Sequence, residues 1–356
     1  MPRVSVIVPV YQVKEELPSC LESLLRQSLD DIEVVCVDDG SSDGSAEVLA
    51  QYAREDARIK VLHQENSGVG TARNKGMGQA SGDLIMFCDA DDALVEDACE
   101  RVSEAFSQDG CDVMVFGFAV EPPQLMHPSL VGKTSPRDAV LDGSPESVVA
   151  LLFKEDARPF GARIALSRDF VEREGICWHP VLSLGDDQFF CFEVYARSRR
   201  TTLCSRALYR YRMREGSLTH AGQGSVPELL GKMGRHLSCE RAVLSDARAS
   251  GLLDICPERV LDWCLELLLH DGLRLPEGSR QGFWRRWEAA MSEELDLATL
   301  RVRLGFPARM CLDKVLGCAR GGGAGPTGLD LGLYFVRKRG LTSALRRALW
   351  GLARRR

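Results

Sequence analysis

The sequence predicts an α/β fold with a mostly parallel sheet flanked by helices, followed by a helical C-terminal region. Three observations carry that expectation. Short β-branched runs recur through the first 120 residues, helical patterns lie between them, and several runs end in acidic or aromatic residues. The runs are continuously apolar rather than alternating, which is the signature of strands covered on both faces. Strand, helix and strand in series then favour parallel pairing.

The elements follow in order. "VSVIV" (4–8) is the first strand and runs into "PVYQ", leaving Tyr11 at its tip. Leu17, Leu21, Leu24, Leu25 and Leu29 recur at one-face helical spacing, with Pro18 near a tolerated first-turn position. "IEVVCV" (32–37) leads into "VDDGSSDGS", where Asp38 and Asp39 close the strand and Gly40, Ser41 and Ser42 turn the chain. Ser42 or Asp43 caps a second helix carrying Val48, Leu49 and Tyr52. "IKVL" (59–62), "LIMFC" (84–88) and "VMVFGF" (113–118) complete the strands, the fourth running into "CDADD". Ligands of open α/β sheets bind beyond the carboxyl ends of the strands, so these tips are the places to look.

Residues 121–145 are rich in Pro, Gly and Ser and read as a loop; 146–220 mix helical and extended segments. From 226 to about 318 the pattern is helical, most clearly in "PERVLDWCLELLLHDG" (257–272). "GGGAGPTG" (321–328) reads as a flexible linker. The expected organisation is therefore 1–225, 226–320 and a tail over 321–356.

Composition excludes some classes. A hydrophobic share of 45% and a charged share of 27% suit a soluble globular chain. A net charge of −6 gives no reason to expect nucleic acid as a partner. Thirteen cysteines carry no CxxC pair, and Cys36, Cys88 and Cys264 sit in apolar runs as small buried hydrophobes. With no leader-like start and no long apolar run, the expected location is the cytoplasm.

Asp89, Asp91 and Asp92 crowd one strand end, which is costly unless a cation neutralises them or protons are retained. The alternation Asp89-Ala90-Asp91 lets two carboxylates face one side of an extended backbone. Hard oxygens without His or Cys nearby favour Mg²⁺ or Mn²⁺, which takes one or two carboxylates and fills its shell with water and phosphate oxygens. The implied ligand is a diphosphate. Upstream, "NSGVGTARNKGMGQASGD" (66–83) places Gly68 and Gly70 before a helix start, an anion seat, and Arg73 adds a forked donor. The dinucleotide fingerprint is broken there, because Arg73 stands in place of its third glycine. That counts against a nicotinamide-dependent oxidoreductase.

"VSVIVPVYQ", "SLLRQSLDDIEVVCVDDGSSDGS", "NSGVGTARNKGMGQASGDLIMFCDADD" and "LGDDQFF" resemble, in that order, the motifs of inverting family 2 glycosyltransferases of the GT-A fold. The resemblance spans residues 3–118 closely and 159–219 more loosely. It implies a nucleotide-sugar donor, usually with uracil, held by a site that includes Pro9, Tyr11, Asp39, Arg73, Asp89, Ala90 and Asp91. Tyr11 and Asp39 then contact the base, Arg73 lies near the diphosphate, Asp89 approaches the ribose, and Asp91 holds the metal. Asp89, Asp92 and His220 are further metal candidates, with Asp92 alternatively capping the next helix. Asp187, from "GDD", matches the general base, and Asp186 stands where the family has Glu. "LYRYRMREGSLTH" (208–220) resembles the closing segment over the diphosphate, with Arg212, Arg214 and Ser217 as contributors. "FGARIALSRDF" lacks the family's Trp and Asn, with Arg163 where Lys is common. Trp178 has two readings, acceptor stacking or packing.

The implied activity is sugar transfer to a glycan or lipid-linked acceptor in cell-surface polysaccharide or lipopolysaccharide assembly. The alternative is a non-catalytic nucleotide-sugar-binding scaffold. Residues 337–356 hold eight Arg or Lys, no acid, and a face of Leu341, Leu345, Leu349 and Leu352. They suit peripheral membrane contact, a docked helix, or a disordered basic end.

Overall fold

A computed structural model describes residues 3–125, 134–155, 157–158, 160–213 and 225–340. The chain divides into two compact units, the first reaching Arg214 and the second running on from Glu215.

The first unit holds β1 (Val4–Val10), α1 (Leu17–Leu25), β2 (Ile32–Asp38), α2 (Ser45–Glu55), β3 (Ile59–His63) and α3 (Val69–Gln79). It continues with β4 (Leu84–Phe87), β5 (Ala93–Leu94), α4 (Ala98–Asp109), β6 (Val113–Glu121), β7 (Ala139–Asp142) and α5 (Pro145–Phe153). β8 (Ile164–Ser167), α6 (Arg168–Glu174), α7 (Asp186–Arg197) and β9 (Arg200–Arg212) complete it. The sheet runs β3-β2-β1-β4-β8-β6-β9-β5, with β7 paired to β9.

The five strands expected from apolar runs all form. β1, β2, β3 and β4 pair in parallel; β1, β2 and β4 are buried on both faces, while β3 is the half-exposed edge. Beyond β4 the sheet becomes mixed: β8 runs antiparallel to β4 and β6, while β6 and β9 are parallel. β5 and β8 span only two and four residues, too short for a periodic signal. The two-residue β5 pairs Ala93 with Arg210, which brings the acidic turn before it against β9.

Helix faces follow the leucine spacing. Leu17, Cys20, Leu21 and Leu24 of α1 are fully buried, and each Leu→Ala change there would cost about 2–5 kcal/mol. α2 starts one residue after Gly44, with Asp43 accepting from the Ser45 backbone N–H at 3.0 Å. α3 lies close on the sheet: a Cβ at Gly76 would stand 2.4 Å from Ile7, so only glycine permits that approach.

The second unit is helical. It contains α8 (Val226–Ala249), α9 (Leu252–Ile255), α10 (Pro257–Arg274), α11 (Glu277–Glu294), α12 (Leu297–Arg303), α13 (Phe306–Ala319) and α14 (Gly328–Arg339). A capping box between Ser225 and Glu228 starts α8. α14 changes the expected organisation, since its residues read as tail in the sequence. Thr327 and Asp330 form a second capping box, Lys314 pairs with Asp330 at 2.6 Å, and Leu331 and Tyr334 are buried. A three-glycine run therefore ends at a capped, packed helix rather than a free tail. Residues 341–356, with the leucine face, lie outside the described residues.

In this unit Glu240 is fully buried and accepts from Trp287 Nε1 at 2.9 Å. Burial pushes its carboxyl well above the usual range, so the native state holds a proton that the unfolded chain releases. Stability contributed by that proton is therefore lost as pH rises above the unfolded value. Glu240→Gln is expected to match the parent within about 1 kcal/mol near pH 4 and to remove the parent's decline as pH rises above the usual carboxylate range. Urea titrations at several pH values measure both.

Candidate active site

Five strand or helix ends converge on the acidic turn. β1 and β2 are joined beyond their tips by Asp39 N–H donating to the Val10 carbonyl at 2.9 Å. Tyr11 stands 49% exposed beside them, and Pro9 is half-buried within β1. Asp39 is buried, and three donors occupy its carboxylate: Gln64 Nε2 at 2.8 Å, Ser67 N–H at 2.8 Å and Gly68 N–H at 2.9 Å. It thus orders the loop entering α3. Asp38 takes Ser41 N–H at 3.0 Å and faces His63 Nδ1 at 3.1 Å.

The positive charge answering the acidic turn is Arg73. This buried guanidinium donates to Asp89 Oδ1 at 2.6 Å and to Asp186 Oδ2 at 3.1 Å. It lies 4.1 Å over the ring of Trp178, a favourable cation–π contact. Burial works against its charge, yet Asp89, Asp186 and Asp187 outweigh burial and hold its pKa above the ordinary value. Arg73 therefore ties the end of β4 to the start of α7.

Asp92 does not cap the next helix, as one of its two readings expected. It is 1% exposed, with Oδ2 taking Tyr209 OH at 2.6 Å and Oδ1 taking Arg212 N–H at 2.7 Å. Those bonds commit it to β9, and α4 begins later, after Asp97. Burial, then the charges of Asp89 and Asp91, push its carboxyl up to about 8. Asp91 is half-buried at the turn and Ala90 is buried beneath it. Among the described residues no three His, Cys, Asp or Glu side chains gather tightly enough to hold a metal by themselves. Arg214, Ser217 and His220 lie outside the described residues.

Asp186 and Asp187 occupy the first turn of α7, after Gly185 at φ 83°. Acids there meet the positive end of the helix dipole. Asp187 Oδ1 accepts from Gly161 N–H at 3.2 Å and keeps part of its surface open. Protein crowds it on most sides: burial, then the Asp186 charge, raise its carboxyl to about 7, although Arg73 pulls the other way. A carboxylate that titrates near neutrality is suited to proton transfer.

Beneath the site Trp178 is fully buried, stacked on Phe190 at 4.0 Å, and edge-on to Phe87. It is therefore packing, not an acceptor platform. A Cβ at Gly161 would meet its ring at 2.3 Å, which makes glycine necessary where the backbone reaches Asp187. Arg163 is also buried, 5.5 Å over Phe118. Sequence reasoning missed Tyr209 and the Gly161 N–H as partners of the acids. Nothing in local spacing marks them, because both come from distant segments.

Residues 5–132 match the family model of glycosyl transferase family 2. EpsH of Bacillus subtilis (strain 168) is 34% identical over 232 residues, covering 64% of this chain and 65% of EpsH. The uncharacterized glycosyltransferase EpsJ of the same strain is 33% identical over 229 residues, 62% of this chain and 63% of EpsJ. The chain thus spans somewhat less than two thirds of either relative. Among solved structures, S. aureus TarS 1-349 in complex with UDP-GlcNAc superposes with a TM-score of 0.72 at 18% identity. That match covers 95% of this chain and 92% of the TarS chain, and it shows a shared GT-A fold. The family 2 region contains Tyr11, Asp39, Arg73 and all three acids of the turn; Asp187 lies beyond it.

Proposed function

We propose that this chain is an inverting, metal-dependent glycosyltransferase that moves a sugar from a nucleotide-diphosphate sugar to an acceptor hydroxyl in cell-surface polysaccharide assembly. The observation that carries this reading is the Asp89–Arg73–Asp186 bridge, which sets Asp187 beside the acidic strand end. The donor lies over β1, β2 and β4, its base near Tyr11 and Asp39 and its ribose near Asp89. UDP is the favoured nucleotide, a choice supported by the TarS complex with UDP-GlcNAc. The acceptor is a glycan or lipid-linked polymer; a poly(ribitol-phosphate) beta-glucosyltransferase of Bacillus spizizenii, 24% identical over 269 residues, supports a hydroxyl-bearing polymer in that place.

The donor set at the turn fits Mg²⁺ or Mn²⁺. Arg73 occupies Asp89 Oδ1 and leaves Oδ2, and Asp91 adds a half-exposed hard-oxygen ligand. A bound divalent ion offsets charge developing on the leaving diphosphate. Asp187 takes the proton of the attacking hydroxyl, so no covalent intermediate is needed. Arg212 lies at the end of β9, with its backbone held to Asp92, where its side chain can reach the diphosphate. Among the described residues no helix is long and apolar enough to cross a membrane.

A thermal-shift screen over UDP- and GDP-sugars, each with and without Mn²⁺, tests the reading together with nucleotide release. A metal-dependent shift specific to UDP-sugars and measurable UDP release are expected. Binding without turnover would instead favour a scaffold. Because Asp187 stands near 7, kcat/KM is expected to rise through about pH 7 as the carboxyl ionises, and to fall tenfold per unit below it. A flat profile between pH 5.5 and 8 would remove Asp187 as base.

A further inference from the structure

The second unit carries a cavity of about 330 Å³ between the start of α10, the α12–α13 junction and α14. Four cations line it, Arg259, Arg303, Arg337 and Lys338, against two acids, Glu258 and Asp262. Both acids are engaged: Arg303 pairs with Glu258 at 2.8 Å, and Lys338 with Asp262 at 2.7 Å. Arg259 and Arg337 are exposed and have no acidic partner among the described residues. Leu304, Pro307, Ala308 and Tyr334 give the lining its apolar part.

The same elements expose large apolar side chains. Val302 is 65% exposed at the end of α12, Phe306 64% at the start of α13, and Leu329 and Leu333 of α14 are 75% and 47%. They make up four of the nine exposed large hydrophobics in the described residues, and three adjoin lining residues along the chain: Val302 beside Arg303, Phe306 beside Pro307 and Leu333 beside Tyr334. Scattered exposed hydrophobics need no explanation, but a group around a binding pocket does.

We propose that this face binds the phosphate headgroup of an anionic phospholipid at a membrane surface. Arg259 and Arg337 hold the phosphate, and Phe306, Val302 and Leu333 enter the headgroup–acyl boundary. A soluble phosphate ester would account for the arginines but not for the exposed apolar side chains that border them on α12, α13 and α14. A second copy of the chain would bring its own unpaired arginines to the contact, a like-charge cost. The inference deepens the proposed function, resting on it only for the use a membrane-borne acceptor makes of such binding.

The test is cosedimentation of the full chain with vesicles of phosphatidylcholine alone or mixed with phosphatidylglycerol. Binding is expected only with phosphatidylglycerol, weakening as salt rises. R259E/R337E is expected to lower it by about tenfold or more, and F306S to lower it also, with melting curves matching the parent. Residues 341–356 are present in every variant, so the difference reports on the cavity. Undiminished binding by the folded variants, or no binding by the parent, overturns the proposal. So does saturable binding of free glycerol phosphate without vesicle binding, or a dimer in light scattering that F306S abolishes. Donor binding is measured on the same samples. Its failure alongside intact vesicle binding would sink the glycosyltransferase reading and leave this one standing.

Discussion

Asp187→Asn is expected to reduce sugar transfer by roughly 10²–10⁴-fold in kcat while leaving donor binding unchanged. The substitution keeps size and shape. Its amide oxygen still accepts from Gly161 N–H, and the Arg73–Asp186 bond is untouched. What disappears is the carboxylate proposed to take the acceptor proton. The rise in kcat/KM through about pH 7 should disappear with it. Folding should not suffer. In the native state Asp187 binds a proton more tightly than in the unfolded chain, so its contribution to stability declines as pH rises. Removing a carboxylate crowded by Asp186 and Asp89 is expected to leave the variant as stable as the parent near pH 4 and increasingly more stable up to about pH 7, where the gain levels off. Rates of UDP release with acceptor, donor thermal shifts and melting curves supply the readouts. Activity within tenfold of the parent would move the base elsewhere.

Arg73→Met should be the most disruptive single change in the site, costing about 3 kcal/mol. Methionine replaces much of the packed volume but neither ion pair. Breaking a buried pair by removing one partner costs about 3–5 kcal/mol, and the 34% exposure of Asp89 argues for the lower end. The lost contact with Trp178 adds to it. The pH dependence gives a sharper check. Without the guanidinium, Asp187 loses the charge that pulls its carboxyl down, so its folded-state pKa rises further and the native state holds its proton to higher pH. The penalty should therefore shrink from pH 8 to pH 5. Arg73→Lys keeps a charge but cannot fork between two carboxylates, and should fall between parent and methionine. A methionine variant equal to the parent at pH 8 would show that the bridge adds nothing to the fold. Donor affinity and turnover should both fall, because the bridge joins the two halves of the site.

Much of the fold was legible because continuous apolar runs and one-face leucines are local signals. β1 to β4 and α1 follow from them directly, as do the strand-end positions of Tyr11, Asp39 and Asp89. α14 was not legible: its glycine-rich entry suggested a linker, and only the packing of Leu331 and Tyr334 makes it part of a core. The antiparallel half of the sheet was equally hidden, since β5 and β8 are too short to show a period.

The sequence by itself determined the chemistry available: three acids at one strand end, two more at a helix start, and an arginine upstream of both along the chain. Tertiary structure decided how those charges are shared. Asp92 looked like its neighbours, but β9 claims it through Tyr209 and Arg212. Arg73 looked like a ligand for phosphate, yet in this structure it bridges Asp89 and Asp186, which are 97 residues apart. Charge composition is a property of the chain, whereas pairing depends on distances that only folding sets, and electrostatic energy depends on those distances.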